Sequence, residues 1–171
     1  MIKEDEVMKK QCMVLLVENN SGVLARVSSL FMQRGFNIDS LTVSSTEIPH
    51  ISRITVMTTG DSRTFSQIMK QTSKLVEAKM IFSVEPEFSL IREILMVKFS
   101  SATDDLDILK GIIEKFGANI IDMSHGCFVA ELTESPQKVD EFLDAVKGFE
   151  MIEMCRSGAI ALERGLIDYE L

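Results

Sequence analysis

Residues Cys12–Ile38, CMVLLVENNSGVLARVSSLFMQRGFNI, decide the fold. They open on a continuous apolar run, Cys12 to Val17, rich in Val and Leu and too short to be a helix by itself. Such a run reads as a strand buried on both faces. Glu18-Asn19-Asn20-Ser21-Gly22 is a polar turn. Beyond it Val23, Leu24, Val27, Leu30, Phe31 and Arg34 recur at helical spacing, with Ser21 as the candidate N-cap and Gly35 as the left-handed stop. Asn37 then leads into a new extended segment.

Outward from this stretch, Asn37 to Ser45 alternates, with Leu41 and Val43 on one face. Thr46-Glu47-Ile48-Pro49-His50 interrupts it, and Ile54 and Val56 mark a partner strand running to Thr59, so the pair predicts a hairpin with a longer loop. Gly60-Asp61-Ser62 opens a second helix with a buried stripe of Phe65, Ile68, Met69, Thr72, Leu75 and Val76. Lys79 to Val84 is a last strand. The order β-α-β-β-α-β is the ferredoxin-like arrangement.

After a short linker, Glu85 to Ser89, the pattern restarts. Ile94–Phe99 reads as a strand. Leu109, Ile112, Ile113 and Phe116 form a helical stripe stopped by Gly117. Asn119–Ser124 and Cys127–Leu132 flank a tight turn at His125-Gly126. Pro136 suits the first turn of a helix with stripe Val139, Phe142, Leu143 and Val146. Met151–Leu162 closes the unit, bent or split at Ser157-Gly158. Gly35-Phe36-Asn37-Ile38 and Gly117-Ala118-Asn119-Ile120 hold the same place in each half, offset by 117 − 35 = 82, and that offset carries Leu15 onto Val97. The expectation is an α+β protein of two tandem ferredoxin-like βαββαβ units, residues 10–86 and 91–167.

Composition narrows function. Formal charge is −8, and no basic stripe is long enough to overcome it, so nucleic acid is a poor partner. No apolar run approaches the roughly 20 residues that span a bilayer, and Met1–Lys10 lacks the apolar core of a secretion signal. A cytoplasmic protein without membrane association is expected. Cys12, Cys127 and Cys155 are far apart, odd in number and set in apolar stretches, which predicts buried free thiols rather than disulfides. Neither His50 nor His125 has metal-ligand spacing to them. Phosphate-loop spacing is absent, and Asp104-Asp105-Asp107 reads as a solvated helix start, so no catalytic or metal site is expected.

The informative spot is the first strand-to-helix junction, Asn19, Asn20, Ser21, Gly22, Val23 and Leu24. A helix start offers free N–H groups and positive dipole character to an anion. Gly22 would let a carboxylate approach the backbone closely. Asn37, at the start of the next strand, has a carbonyl that can accept from an ammonium group. Carboxylate at the helix start, ammonium at Asn37 and a small apolar pocket describe an amino-acid site. From the residues alone, ordinary helix capping without a ligand accounts for the same turn.

The stretch Glu18–Val27 resembles the ACT domain, an amino-acid-binding regulatory module. The fuller run Ser28–Val43, with Ile51-Ser52-Arg53-Ile54-Thr55-Val56, resembles the acetolactate synthase small-subunit family. Arg92–Lys98, Ile120-Ile121-Asp122 and Arg156–Leu162 resemble that family's C-terminal regulatory domain, so the likeness runs from about Cys12 to Gly165. The resemblance implies a non-catalytic regulatory subunit of branched-chain amino-acid biosynthesis. It implies an ACT homodimer joined sheet edge to sheet edge. It also implies an effector, valine first, held between Asn19, Ser21, Gly22, Val23 and Leu24 of one chain, with Asn20 beside them, and Asn37 and Ile38 of the other. Many ACT turns carry Pro before the Gly; here it is Ser21. The implied partner is a large catalytic subunit carrying thiamine diphosphate, Mg²⁺ and FAD, with no cofactor in this chain. The second unit has Ser100-Ser101-Ala102-Thr103-Asp104-Asp105 where the first has its glycine turn; the added carboxylates predict no effector site there. A free-standing ACT-type regulator of another enzyme or of a transcription factor is the alternative.

Overall fold

The computed structural model describes residues 8–102 and 105–165. The chain divides into two compact units. Of the described residues, the first takes those up to Leu90 together with 160–165; the second lies within Ile91–Ala159.

The first unit contains β1 (Lys9–Glu18), α1 (Val23–Gln33), β2 (Ile38–Ser45), β3 (Ile51–Gly60), α2 (Ser62–Thr72) and β4 (Ala78–Val84). Its sheet has the order β2-β3-β1-β4, antiparallel throughout. The apolar run is the central strand, and Cys12 to Val17 are each at most 4% exposed, as expected of a strand covered on both faces. Met13, Leu15 and Val17 turn toward the helices and pack with Val27, Phe31, Ile54, Phe65 and Ile68.

A single 3₁₀ turn at Pro86–Phe88 leads into β5 (Ser89–Ser100). The second unit continues with α3 (Leu106–Lys115), β6 (Asn119–Ser124), β7 (Cys127–Glu134), α4 (Pro136–Ala145) and β8 (Met151–Arg156). Its strand order β6-β7-β5-β8 repeats the first unit's. Here the core is aromatic: Phe99 and Phe128 lie 5.5 Å apart, and Phe116 meets Phe142 edge-on at 5.5 Å. Fully burying one such side chain stabilises by roughly 1.5–3 kcal/mol.

The repeated Gly-x-Asn-Ile signature has a physical cause. Gly35 (φ 67) and Gly117 (φ 71) are both left-handed. Gly35 N–H donates to Met32 and Phe36 N–H to Phe31; Gly117 N–H donates to Glu114 and Ala118 N–H to Ile113. Both are Schellman motifs, which terminate a helix and turn the chain into the next strand. At Leu15 and Val97, both fully buried, the common offset also holds.

Several expectations are corrected. Ser21 does not cap α1: Gly22 is the N-cap, left-handed at φ 85, with no side-chain hydrogen bond. A serine cap needs an extended backbone, and the turn has already swung left-handed. The second helix stops at Thr72; Leu75 still packs on the core from the following turn, but Val76 is 89% exposed. The strand expected to start at Ile94, β5, begins at Ser89, so its first two residues still belong to the first unit. Of the cysteines only Cys12 is buried. Cys127 is half-buried, and Cys155 is exposed because β8 is a sheet edge open along its whole length. The expected break does fall at Ser157-Gly158, with Gly158 at φ 77, but the strand beyond it, β9 (Ile160–Glu163), groups with the first unit. There the Arg53 guanidinium donates to the Ala161 carbonyl at 2.6 Å, and Arg164 N–H donates to Phe88 at 2.8 Å.

Candidate functional site

The turn between β1 and α1 is held by its backbone. Glu18 N–H donates to Glu77, Asn19 N–H to His50 and Asn20 N–H to Glu18, at 2.9, 2.8 and 2.8 Å. Val23 N–H closes the turn on Asn20 at 3.3 Å. Asn19, Asn20, Ser21 and Gly22 are exposed, Val23 is anchored in the core, and Leu24 is 44% exposed beside them. These residues therefore form one accessible surface ending on a helix start.

That helix start is electrostatically open. Asp61 caps α2, accepting from Thr64 N–H at 2.8 Å, and Ser135 caps α4. α1 has neither a capping side chain nor an acidic residue in its first turn. Two carboxylates beside the turn are spoken for. Glu77 pairs with Arg26, and Glu18 pairs with Lys79 at 2.5 Å while accepting from the Asn20 amide at 2.9 Å. The hydrogen bond from Lys79, and then its charge, pull the Glu18 carboxyl below its ordinary range. Helix-start amides facing solvent, with local negative charge balanced, suit an added anion.

Asn37 is exposed, and Ile38 half-buried. The Asn37 side-chain amide donates to Asp39 Oδ1 at 3.3 Å, which leaves its carbonyl oxygen turned away as an acceptor. Asp39 is fixed in turn by Thr59 Oγ1 at 2.7 Å, and Thr58 Oγ1 donates to the Asn37 backbone carbonyl at 2.6 Å. Within one chain this cluster does not meet the Gly22 turn. Thr58, which pairs Ile38 in β2, also pairs Gln11 at the start of β1, whereas the Gly22 turn comes after Glu18 at its end. Seven residues of strand separate the two, about 23 Å.

Arg26, Glu77 and Asp39 were missed from the sequence. Asp39 had a signal, standing only two residues from Asn37 along the chain. Arg26 and Glu77 had none, being 51 positions apart. In the second unit the corresponding turn includes Thr103 and Asp104, which lie outside the described residues. Asp105 precedes α3 without a side-chain cap, and Asp107 lies in its first turn. Among the described residues no three His, Cys, Asp or Glu side chains gather as a metal site, and no helix is long and apolar enough to cross a membrane.

Two βαββαβ units in tandem, the first with a glycine-started helix and a polar turn, define a protein of the ACT class. Residues 13–78 match the family described as "AHAS small subunit-like ACT domain", and 92–165 match "Small subunit of acetolactate synthase". The chain is 37% identical over 157 residues to the acetolactate synthase isozyme 3 small subunit of Escherichia coli, covering 91% of this chain and 96% of that one. It is 36% identical over 156 residues to a probable acetolactate synthase small subunit of Archaeoglobus fulgidus, covering 91% and 98%. The crystal structure of the small subunit from Thermotoga maritima superposes with a TM-score of 0.82 at 34% identity, over 93% of this chain and 99% of that one. The chain belongs to the acetolactate synthase small-subunit family.

Proposed function

We propose that this chain is the non-catalytic regulatory subunit of an acetolactate synthase, activating a large catalytic subunit and conferring feedback inhibition by a branched-chain amino acid, valine first. The observation that carries the effector reading is the open start of α1 at Gly22, uncapped by any side chain, beside carboxylates already neutralised by Arg26 and Lys79. The effector's carboxylate meets the helix-start amides, and its ammonium meets the Asn37 carbonyl oxygen, with Asp39 adding negative charge.

Since Gly22 and Asn37 lie at opposite ends of one sheet, a complete site takes one from each of two chains. The strand register supports this. Ser45, at the end of β2, pairs Ser52, which pairs Val17 near the Gly22 turn. β2 is a sheet edge. Antiparallel addition of β2 to β2 of a second copy sets the Asn37 end of one chain beside the Gly22 end of the other, an isologous arrangement that yields two equivalent sites. Effector binding then changes activity to the extent that it favours one state of the complex, typically by about 1–3 kcal/mol. One methylene in an aliphatic pocket is worth only about 1–3 kcal/mol, so leucine and isoleucine compete.

Thiamine diphosphate, Mg²⁺ and FAD belong to the catalytic partner, and the complex works in the cytoplasm. The test is reconstitution with the cognate large subunit: activity rises on addition of this chain and falls with valine. Unchanged activity on addition refutes the subunit reading. Activation without a response to valine, together with no valine binding by titration calorimetry, refutes the effector reading alone.

A further inference from the structure

A basic groove on the helical side of the first unit is unconnected with the effector turn. Gln67, Lys70, Gln71 and Lys74 fall at i, i+3, i+4 and i+7, so α2 and the turn after it present them along one face. α1 packs beside α2, and Arg34, its C-cap residue, reaches the same groove. Together with Ser73 these residues line a depression of about 580 Å³, within the roughly 300–1,000 Å³ usual for small-ligand sites.

The charge in this groove is unbalanced. Three of its six lining residues are cationic and none is acidic. That is unusual for a chain carrying 26 Asp and Glu against 18 Lys and Arg. Among the described residues the ion pairs engage Arg26, Lys79, Lys98, Lys138, Lys147 and Arg156, but not Arg34, Lys70 or Lys74. Gathering like charges costs free energy unless an anion sits among them. The Gln67 and Gln71 amides add neutral donors, while Ser73 Oγ is committed to the Lys70 carbonyl at 3.0 Å. No aromatic side chain lines the groove, so it has no platform for a stacked base. Three cations on a chain of net charge −8 are too few for a nucleic-acid backbone.

We propose that the groove formed by Arg34, Lys70 and Lys74 binds a compact polyanion bearing two or more linked phosphates, as a second ligand site distinct from the effector turn. Linked phosphates match several neighbouring cations at once, which a monoanion cannot do, and an arginine fork with two lysine point charges suits their oxygens.

Inorganic triphosphate is the probe, titrated into the full chain by calorimetry. The wild type binds it with affinity that falls as salt is raised, and binds orthophosphate far more weakly. Lys70→Gln with Lys74→Gln lowers triphosphate affinity by about tenfold per cation removed, with an unchanged circular dichroism spectrum. Lys138→Gln, on α4, leaves it unaltered, and so does Gly22→Asp. Absence of binding at low ionic strength overturns the proposal, as does equal affinity in the double variant. Loss of binding in Gly22→Asp overturns it too, because the anion then sits at the α1 start. A glutamate-rich peptide that binds the groove when triphosphate does not reassigns it to an acidic protein surface.

Discussion

Replacing Gly22 separates backbone strain from charge at the α1 start. Any L side chain there must hold φ near +85, which costs about 1–2 kcal/mol. For a chain of this length each kcal/mol lowers Tm by roughly 2–4 °C, so Gly22→Ala and Gly22→Asp both melt a few degrees early. The added Cβ sits 3.4 Å from Arg26 Nη1, the mobile end of a long side chain, so neither variant is blocked sterically. Alanine leaves the helix-start amides available. If the effector binds as proposed, aspartate adds a carboxylate about 4 Å from the effector's own, a repulsion of about 4 kcal/mol at an effective dielectric of 20. The Arg26 guanidinium and salt screening offset part of it. A remainder of roughly 1.5–3 kcal/mol weakens valine by about 10- to 100-fold. Titration calorimetry of valine into both variants, with melts by circular dichroism, reads the two effects separately. Equal loss of valine affinity in both variants, or full affinity in Gly22→Asp, refutes an anion site at this turn.

The packing sets three other outcomes. A thiol reagent labels exposed Cys155 quickly in the native protein, half-buried Cys127 more slowly and Cys12 only on unfolding, because burial holds the Cys12 thiol up at about 12. For the same reason Cys12 lowers stability between about pH 9 and 12, where the unfolded chain has lost a proton that the folded chain keeps; Cys12→Ala removes that part of an alkaline stability profile. Arg156→Ala strips the partner from Glu93, whose side chain is only 3% exposed, while Asp140 remains on the surface side. About 3 kcal/mol is lost in urea unfolding, the low end for a broken buried pair because Arg156 itself is 31% exposed. Adding Glu93→Gln restores most of it, and a loss below about 1 kcal/mol contradicts the pairing. Gly35→Ala and Gly117→Ala each cost about 1 kcal/mol, since both are left-handed and neither new Cβ meets an atom within 4 Å. Clearly unequal costs in urea unfolding deny that the two motifs are equivalent.

Most of the fold was legible because its signals are local. Six consecutive buried residues mark β1, and the two left-handed glycines end α1 and α3 where the Gly-x-Asn-Ile echo placed them. The His125-Gly126 turn, with φ of 53 and 78, matches a two-residue hairpin in which both central residues are left-handed. Legibility failed where a residue's environment came from a distant segment. Cys155 sits in an apolar sequence, yet its strand is an uncovered edge. Val76 continues the helical spacing of α2, but the helix has ended at Thr72. Ser21 has the right chemistry for a cap, and the backbone conformation at Gly22 takes that role from it.

Sequence by itself determined the element order, the duplication and the polar glycine turn before α1, since periodicity and backbone preference are properties of neighbouring residues. Tertiary structure alone decided where the chemistry sits. Strand register puts Gly22 and Asn37 at opposite ends of one sheet and leaves β2 as a sheet edge. Folding also brought Glu77 to Arg26 and Arg34 to Lys70 and Lys74. Those contacts depend on which strands pair and how the helices cross. No residue's immediate neighbours encode either, because long-range register is set by burial of the whole sheet face at once.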